Sequence, residues 1–243
     1  MWLINSSIGR KVVMSVTGVA LILFLTFHCC MNIVALFSKE GYNLICELLG
    51  ANWYAVVATI GLAALAIIHI FYAFVLNFQN RAARGKDRYA VTEKPEKVEW
   101  ASQNMLVLGI IILLGLLLHL HNFWAKMMLV ELAGMEGRFA HGPADGFAWI
   151  EETFSNPVFV VLYIVWLCAI WFHLFHGFWS AMQTLGVNGK IWFNRWRIIG
   201  AAYVTLLVLG FLVVVLAFAF GVAPSQCCDG AAECCKAAAA CCK

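Results

Sequence analysis

The sequence predicts an all-α membrane protein, a bundle of five transmembrane helices, and two observations carry that prediction. Of the 243 residues, 63% are hydrophobic and only 12% are charged, a composition far outside the range of water-soluble domains. The apolar residues also form separate runs, each longer than the roughly 20 residues that cross about 30 Å of hydrocarbon. These runs cover residues 12–36, 55–79, 104–128, 157–181 and 200–222.

The five runs belong to one predicted domain, residues 1–222, which is followed by a tail, residues 223–243. The first run is too long for the apolar core of a typical signal peptide, and no small-residue cleavage motif follows it, so we expect it to stay in the membrane. The sequence shows no strand pattern and no glycine-rich phosphate loop, which argues against a flavin or nucleotide domain. A net charge of only +3 gives no indication of nucleic-acid binding.

The charged residues orient the predicted bundle. Of the 16 lysines and arginines, 11 lie before the first helix, between the second and third, or between the fourth and fifth. The segment between the third and fourth helices is acidic instead, with Glu131, Glu136, Asp145, Glu151 and Glu152. Because positively charged loops stay in the cytoplasm, we expect a multi-pass protein of the cell inner membrane with a cytoplasmic N-terminus and an external C-terminus.

Four histidines, His28, His69, His119 and His173, lie near the middle of four different apolar runs. An ionisable side chain inside a membrane is costly and requires a partner. Counting about 1.5 Å per residue from each helix centre places His28 and His119 at an outer level and His69 and His173 at an inner level, roughly 10 Å apart. Haem iron takes two axial imidazoles, so the pattern favours two haem groups over histidines that only pack or relay protons.

Two helices offer a second histidine, and spacing alone leaves both choices open. His119 and His121 are two residues apart and point about 200° from each other on a helix, so only one faces a given cavity. His173 and His176 are three apart and share a helix face. His141 lies in a polar loop and is interpreted as a surface residue.

Longer stretches resemble the cytochrome b subunit of succinate:quinone oxidoreductases, the group of succinate dehydrogenases and fumarate reductases. The resemblance is to the form with one membrane chain, five helices and two haems b, and it runs from residue 5 to about residue 222. It rests on SSIGRKVVMSVTGVALILFLTFH in the first helix, IHIFYAFVLNFQNRAARG in the second, HLHNFW in the third and FHLFHGFWSAMQTLG in the fourth.

The resemblance implies a ligand set. It pairs the first ligand with the third and the second with the fourth, as the depth count does, and it selects His119 and His173 from the open choices. His121 and His176 then become residues beside the haems, in contact with a propionate or a quinone. Candidates for propionate contacts at the inner end of the first helix are Arg10, Lys11, Ser15 and Thr17. For the arginine and the lysine, the alternative is a positive-inside signal only.

The resemblance also implies partners: a flavoprotein with covalently bound FAD and an iron–sulfur protein, docked on the cytoplasmic face, and a dimer of the complex is compatible with it. Electrons would pass between an iron–sulfur cluster and a membrane quinone, which the subfamily suggests is menaquinone, while succinate or fumarate reacts on the flavoprotein. The basic inner segments, with Trp100, Trp192 and Trp196, would either dock a soluble subunit or anchor in lipid headgroups.

A quinone site needs a polar group for proton exchange beside apolar walls. The candidates near the outer haem are Glu40, Glu47 and Glu131, for which the alternative is a solvated loop residue. Two other functions stay open on the sequence: a cytochrome b subunit of a hydrogenase or formate dehydrogenase, and a structural anchor without haem.

The tail, APSQCCDGAAECCKAAAACCK, departs from the family pattern. Its Cys-Cys pairs repeat every seven residues, which would align them on one helix face for a soft metal or for disulfides in an oxidising compartment. The alternative is a low-complexity tail without a fixed role. In the body of the chain, Cys29, Cys30, Cys46 and Cys168 are expected to be packing residues.

Overall fold

A computed structural model describes residues 6–84, 100–135 and 137–223. In these ranges the chain is helical without strands, and five helices are long and apolar enough to span a membrane. The predicted all-helical fold, with five helices able to span a membrane, is therefore confirmed. Most of the basic segment between the second and third spans and the three Cys-Cys pairs of the tail lie outside the described residues.

Eight helices follow one another in the described ranges. They are α1 (Ser7–Val34), α2 (Lys39–Leu48), α3 (Trp53–Arg84), α4 (Trp100–Gln103), α5 (Met105–Leu132), α6 (Gly146–Ser155), α7 (Pro157–Thr184) and α8 (Trp192–Ala219). The five membrane-spanning helices are α1, α3, α5, α7 and α8. The largest difference from the predicted bounds is in α8, which begins eight residues before residue 200, because the polar and aromatic residues that precede the apolar run continue the helix.

Side-chain caps set the start of four helices. Ser6, Ser38, Asp145 and Asn156 each accept a hydrogen bond from a backbone N–H two or three residues later. Such caps satisfy one of the amide groups that have no partner inside a helix. Pro157, directly after Asn156, fits the first helical position because it has no N–H to leave unpaired.

Two short helices fold at one end of the bundle, in segments that the sequence predicts as loops. α2 packs against α1 and α6, and α6 packs against α7, α8 and the last turns of α5. Phe147, Trp149, Ile150 and Phe154 of α6 are buried, so this short helix is part of the core. We refer to the end that carries α2 and α6 as the capped end, and to the opposite one, where α1 begins, as the N-terminal end.

The spanning helices α1, α3, α5 and α7 form a four-helix bundle. α7 packs against both α1 and α5, α1 packs against α3, and α3 approaches α5 only marginally. In the described ranges no Cα atom of α1 lies within 8 Å of α5, and none of α3 lies within 8 Å of α7, so these two combinations are the diagonals of the bundle. α8 lies outside, against α7 and α1.

The second half of α5 changes its winding. Residues Leu120–Leu129 form a π-helix that begins directly after His119. Its hydrogen bonds run to the fifth residue, so each turn is wider, and such segments are often found at functional sites. Asn122 and Met128, both in this segment, are buried.

Candidate functional site

The first feature of the site is a pair of histidines across the α1–α5 diagonal. The ring centroids of His28 and His119 lie 5.8 Å apart, with an interplanar angle of 86°. Phe24, one turn earlier on α1, stacks on His28 at 5.5 Å, and Phe211 of α8 lies 5.8 Å from the same ring. The two imidazole rings therefore approach each other across the diagonal, although the Cα atoms of α1 and α5 do not come within 8 Å of each other.

Aromatic residues of α5 and α7 enclose His119. Its ring centroid lies 5.2 Å from Phe123 and 5.6 Å from Trp166. The Trp166 indole occupies the space beside Gly115, where any Cβ atom would collide with it, and its Nε1 donates to the Ile112 carbonyl oxygen at 3.0 Å. A glycine on α5 therefore allows the large ring of α7 to reach His119.

A second pair crosses the other diagonal, from α3 to α7. The ring centroids of His69 and His173 lie 6.4 Å apart, with an interplanar angle of 66°. The first helix supports this pair, because Oγ1 of Thr17 lies 3.1 Å from Nδ1 of His69. Gly18 faces the same ring, and a Cβ atom there would lie 3.3 Å from Cε1.

The two pairs lie at two levels along the bundle. On α1, Thr17 at the level of His69 precedes His28 by eleven residues, which is about 16 Å of helical rise. On α7, Trp166 beside His119 precedes His173 by seven residues, about 10 Å. The structure thus brings together the histidines that the depth count places at equal depth.

The histidines meet only in twos. In the ranges that the structure describes, no group of three or more His, Cys, Asp or Glu side chains is arranged to hold a metal ion. Zinc sites use three or four protein ligands, so neither pair would complete such a site alone. Two imidazoles that bind one metal ion from opposite sides, at about 2 Å each, have ring centroids about 6 Å apart, close to the spacing in both pairs.

Each pair also contains a buried nitrogen that calls for a partner. Nδ1 of His119 and Nδ1 of His173 are buried and have no hydrogen-bond partner within the described residues. Leaving a buried polar atom unsatisfied costs about 1–3 kcal/mol, and each such atom requires an explanation. Without a hydrogen bond at Nδ1 that fixes its orientation, each of these rings can turn a nitrogen towards a ligand between the pair, so the residues present fit a group that takes two imidazoles.

The second histidines of α5 and α7 have other surroundings. His121 is exposed on the surface of the helix, while His119 faces the interior. His176, one turn beyond His173, packs edge-on against Trp179 with a ring distance of 4.9 Å. The structure places neither His121 nor His176 against a histidine of another helix.

The candidates for propionate contacts on α1 separate into two groups. Ser15 and Thr17 are buried, while Arg10 is half-buried and Lys11 is exposed. Thr17 contacts the His69 ring, which is a different role from a propionate contact.

Sequence reasoning also missed two donors at the N-terminal end. The amide nitrogen of Asn77 and Nε1 of Trp179 are buried without a hydrogen-bond partner in the described ranges. Asn77 follows His69 by eight residues and Trp179 follows His173 by six, so both lie on the N-terminal side of that pair. Asn77 could have been found as a polar residue among apolar neighbours. Nothing in the sequence distinguishes Trp179 as a hydrogen-bond donor from the other tryptophans, of which the chain has ten.

Two of the three carboxylates proposed for a quinone line a cleft at the capped end. Glu40 and Glu47 contribute to its walls together with Asn43 and Asp145, and its volume is about 520 Å³. Glu131 does not line this cleft. Its Oε2 accepts a hydrogen bond from the Ala51 N–H at 3.0 Å, so it stabilises the connection between α2 and α3.

A polar connection that the sequence did not indicate links α2 to the His28 turn. The Tyr42 hydroxyl donates to Oδ1 of Asn32 at 3.2 Å. The amide nitrogen of Asn32 donates to the His28 carbonyl oxygen at 2.8 Å and lies 3.4 Å from Nε2 of that ring. Burial, and to a lesser degree the neighbouring Cys46, raises the pKa of Tyr42 well above its ordinary value, so the hydroxyl stays protonated.

His141 is half-buried at the capped end instead of lying free on the surface. Its Nε2 is 3.3 Å from Oε2 of Glu152, and its ring packs edge-on against Trp149 at 5.0 Å. Lys126 joins the same cluster, 3.3 Å from Oε1 of Glu152 and 4.5 Å from the Trp149 ring centroid. The contacts attach the loop before α6 to the π-helix of α5.

The four cysteines of the body, Cys29, Cys30, Cys46 and Cys168, are free thiols.

No protein-family profile, curated protein or solved structure matches the chain. The fold and the site define a five-helix membrane protein with two histidine pairs across the diagonals of its bundle.

Proposed function

We propose that the chain is the membrane-anchor cytochrome b subunit of a succinate:quinone oxidoreductase. In this function it carries electrons between an iron–sulfur partner and membrane quinone through two haems b. The observation that supports the proposal is the meeting of His28 with His119, and of His69 with His173, at two levels of the bundle interior. The sequence motifs quoted above favour this class over the cytochromes of hydrogenases and formate dehydrogenases.

The chemistry of the donor set supports haem in particular. A pair of neutral imidazoles supplies two axial ligands and no more, which suits iron whose other four ligands come from a porphyrin. When bound, such a group supplies one-electron redox chemistry. The four histidines would provide the nitrogens that hold the group, and the aromatic residues around His119 form an apolar wall that keeps water out. A low-polarity surrounding of this kind is one of the factors that set a haem potential.

The N-terminal end offers partners for the acidic edge of a haem. Among the residues that the structure describes, the buried N–H groups of Asn77 and Trp179 have no hydrogen-bond partner there, and Arg10 lies in the first turn of α1 at the same end. Hydrogen bonds to a carboxylate are about twice as strong as neutral ones. We therefore assign these three residues, in place of Lys11, as candidates to hold the propionates of the haem between His69 and His173.

The N-terminal end is also where the soluble partners would dock. By the positive-inside rule it faces the cytoplasm, as a flavoprotein with FAD and an iron–sulfur protein require. At the start of α8, Arg195 lies 5.3 Å from the Trp192 ring centroid, and Trp192 packs on Trp196 at 5.7 Å. This basic, aromatic surface suits either lipid headgroups or an acidic face of a partner.

The capped end is the proposed location of quinone, with menaquinone as the expected species. The cleft beside Glu40 and Glu47 lies at this end, and Tyr42 and Asn32 connect α2 to the turn that carries His28. Oxidation of a quinol releases two electrons and two protons. His28 and His119 would hold the haem that supplies one-electron chemistry at this end, and Glu40 and Glu47 would exchange the protons with solvent through the cleft.

A pyridine haemochrome assay tests the proposal. The purified chain should contain two haems b per polypeptide, and His28→Ala and His69→Ala should each retain one. His141→Ala, which changes a histidine outside both pairs, should retain two. One haem or none in the wild-type chain would contradict the proposal. Purification from the native membrane should also yield a subunit with covalently bound FAD, and a hydrogenase or formate dehydrogenase in its place would select the other class.

A further inference from the structure

We infer that Thr17 and Gly18, adjacent on α1, form a socket that sets the tautomer and the plane of the His69 ring. The socket leaves Nε2 of His69 as the nitrogen that ligates iron. The inference rests on the proposed function only for the identity of the ligand, because the hydrogen bond and the packing belong to the chain itself.

The hydrogen-bond pattern around Thr17 determines the tautomer. Oγ1 of Thr17 lies 2.9 Å from the Val13 carbonyl oxygen and 3.1 Å from that of Met14. Carbonyl oxygens only accept, and a hydroxyl has a single hydrogen, so we assign that hydrogen to the backbone of its own helix, which offers Thr17 two acceptors where His69 offers one. Towards Nδ1 of His69, 3.1 Å away, the hydroxyl oxygen can then only accept. Nδ1 therefore carries the proton, and Nε2 keeps its lone pair.

Gly18 restricts the position of the same ring. A Cβ atom on Gly18 would lie 3.3 Å from Cε1 and 3.7 Å from Nδ1 of His69, so the edge of the imidazole packs directly against the α1 backbone. Thr17 is only 4% exposed, and water therefore has little access to replace its hydroxyl. The hydrogen bond and the close packing together hold one orientation.

The opposite member of the pair lacks such support. Nδ1 of His173 has no hydrogen-bond partner in the described part of the chain. We therefore assign His69 as the preorganised ligand of the inner haem and His173 as the ligand that completes the site. Loss of a partner that hydrogen-bonds a metal-ligating histidine typically lowers the metal affinity 10–100-fold. We expect the loss of the Thr17 hydroxyl to lower the affinity for the inner haem by a similar factor.

The test compares Thr17→Val, which keeps the shape and removes the hydroxyl, with Thr17→Ser, which keeps the hydroxyl. Thr26→Val is the matched control on the same helix, because Thr26 hydrogen-bonds Tyr203 of α8 instead of a histidine. Transfer of haem to apomyoglobin measures retention, and a redox titration measures the potential of each haem. Thr17→Val should release the inner haem 10–100-fold faster and shift its potential, while Thr17→Ser and Thr26→Val should resemble the wild type.

A measurement on the haem-free chain tests the socket without any redox activity. In ¹⁵N-histidine NMR, His69 of the wild type should appear as the Nδ1–H tautomer, and Thr17→Val should populate both tautomers. Unchanged haem retention, potential and tautomer in Thr17→Val would overturn the inference. A wild-type chain that binds no haem but shows the Nδ1–H tautomer would contradict the proposed function and leave the socket intact.

Gly18 supplies a second, independent variant in case Thr17→Val does not fold. Gly18→Val should displace the His69 ring and lose the inner haem, while the outer haem stays bound. Gly61→Val is its control, because no side chain or neighbouring helix in the described residues lies within 4 Å of the position of a new Cβ on Gly61 of α3, and it should retain both haems. Retention of both haems, with wild-type potentials, in Gly18→Val would contradict the socket.

Discussion

The Tyr42 hydroxyl donates to Oδ1 of Asn32 across 3.2 Å and so attaches the helix at the capped end to the turn of α1 that carries His28. Tyr42 is only 9% exposed, and the amide nitrogen of Asn32 donates to the His28 carbonyl oxygen. One side-chain pair therefore transmits the position of α2 to the His28–His119 pair.

Replacing Tyr42 by phenylalanine should destabilise the protein, because the half-buried Oδ1 of Asn32 loses its donor on the side that the buried Tyr42 ring shields from water. The cost of an unsatisfied buried acceptor is about 1–3 kcal/mol, which thermal unfolding in detergent would detect as a lower Tm. Tyr54→Phe is the control: that hydroxyl is exposed and bonds only the Leu48 carbonyl oxygen, so its Tm should change little. Equal Tm values for the two variants would contradict a bracing role for Tyr42.

His119→Ala should lose the outer haem, and His121→Ala should retain both haems. The ring of His119 faces His28 at 5.8 Å, while His121 is exposed on the other side of α5. A reduced-minus-oxidised spectrum with a haem count measures the outcome. Loss of a haem in His121→Ala, with a normal haem content in His119→Ala, would show that His121 is the ligand and His119 is not.

On α7, His173→Ala should lose the inner haem, and His176→Ala should retain it. Of these two histidines, His173 is the one whose ring pairs with His69, with the ring centroids 6.4 Å apart. His176 lies about 4.5 Å further along the helix. The same haem count, with a redox titration of His176→Ala, measures the outcome. A His173→Ala chain with two normal haems would show that another residue binds opposite His69.

The sequence predicts which histidines meet because helical rise is constant. The depth of a residue in a spanning helix follows from its distance to the helix centre, and antiparallel order then fixes which residues share a level. His28 with His119, and His69 with His173, are two such combinations, and the structure brings each of them together.

Features that depend on packing between helices could not be predicted in this way. The Thr17 contact to His69 requires the rotation of α1 about its axis, which an apolar run on all sides does not specify. The π-helix after His119 has no sequence signature, and α2 and α6 are only ten residues long. Their buried faces become visible only against the end of the bundle.

Cys46 should make the protein less stable in strongly alkaline solution. Burial, the largest effect, and the charge of Asp145 raise the pKa of this thiol from its ordinary value near 9 to about 11, while the neighbouring Tyr42 side chain and a hydrogen bond from the Gly146 N–H lower it. Between these two values the unfolded chain has lost the proton and the folded chain still holds it. The free energy of unfolding should therefore be unaffected by this group below pH 9 and should fall as the pH rises towards 11.

Unfolding curves at several pH values, with Cys46→Ala for comparison, measure this effect. The variant should lose part of the decline between pH 9 and 11. Tyr42, whose pKa is also raised, mainly by burial and partly by Cys46, contributes a decline of the same sign above its ordinary pKa of 10.0 in both proteins, so the two curves are compared below that pH, where the thiol already titrates in the unfolded chain. Parallel curves would show that Cys46 ionises equally in the folded and unfolded chain.

Gly115→Ala should destabilise α5, although alanine is the better helix former by about 1 kcal/mol. A Cβ atom at this position would collide with the Trp166 ring, and overpacking of this kind costs about 1–3 kcal/mol. Gly109 lies on the same helix, and no side chain or neighbouring helix in the described ranges comes within 4 Å of a new Cβ there, so Gly109→Ala should be neutral or stabilising. A shift of Trp166 that relieves the collision also disturbs its contact with His119, whose ring centroid lies 5.6 Å from it. Gly115→Ala should therefore also weaken retention of the outer haem, while the inner haem is unaffected. A Gly115→Ala chain with the Tm and the haem content of Gly109→Ala would show that Trp166 does not pack against α5 beside His119.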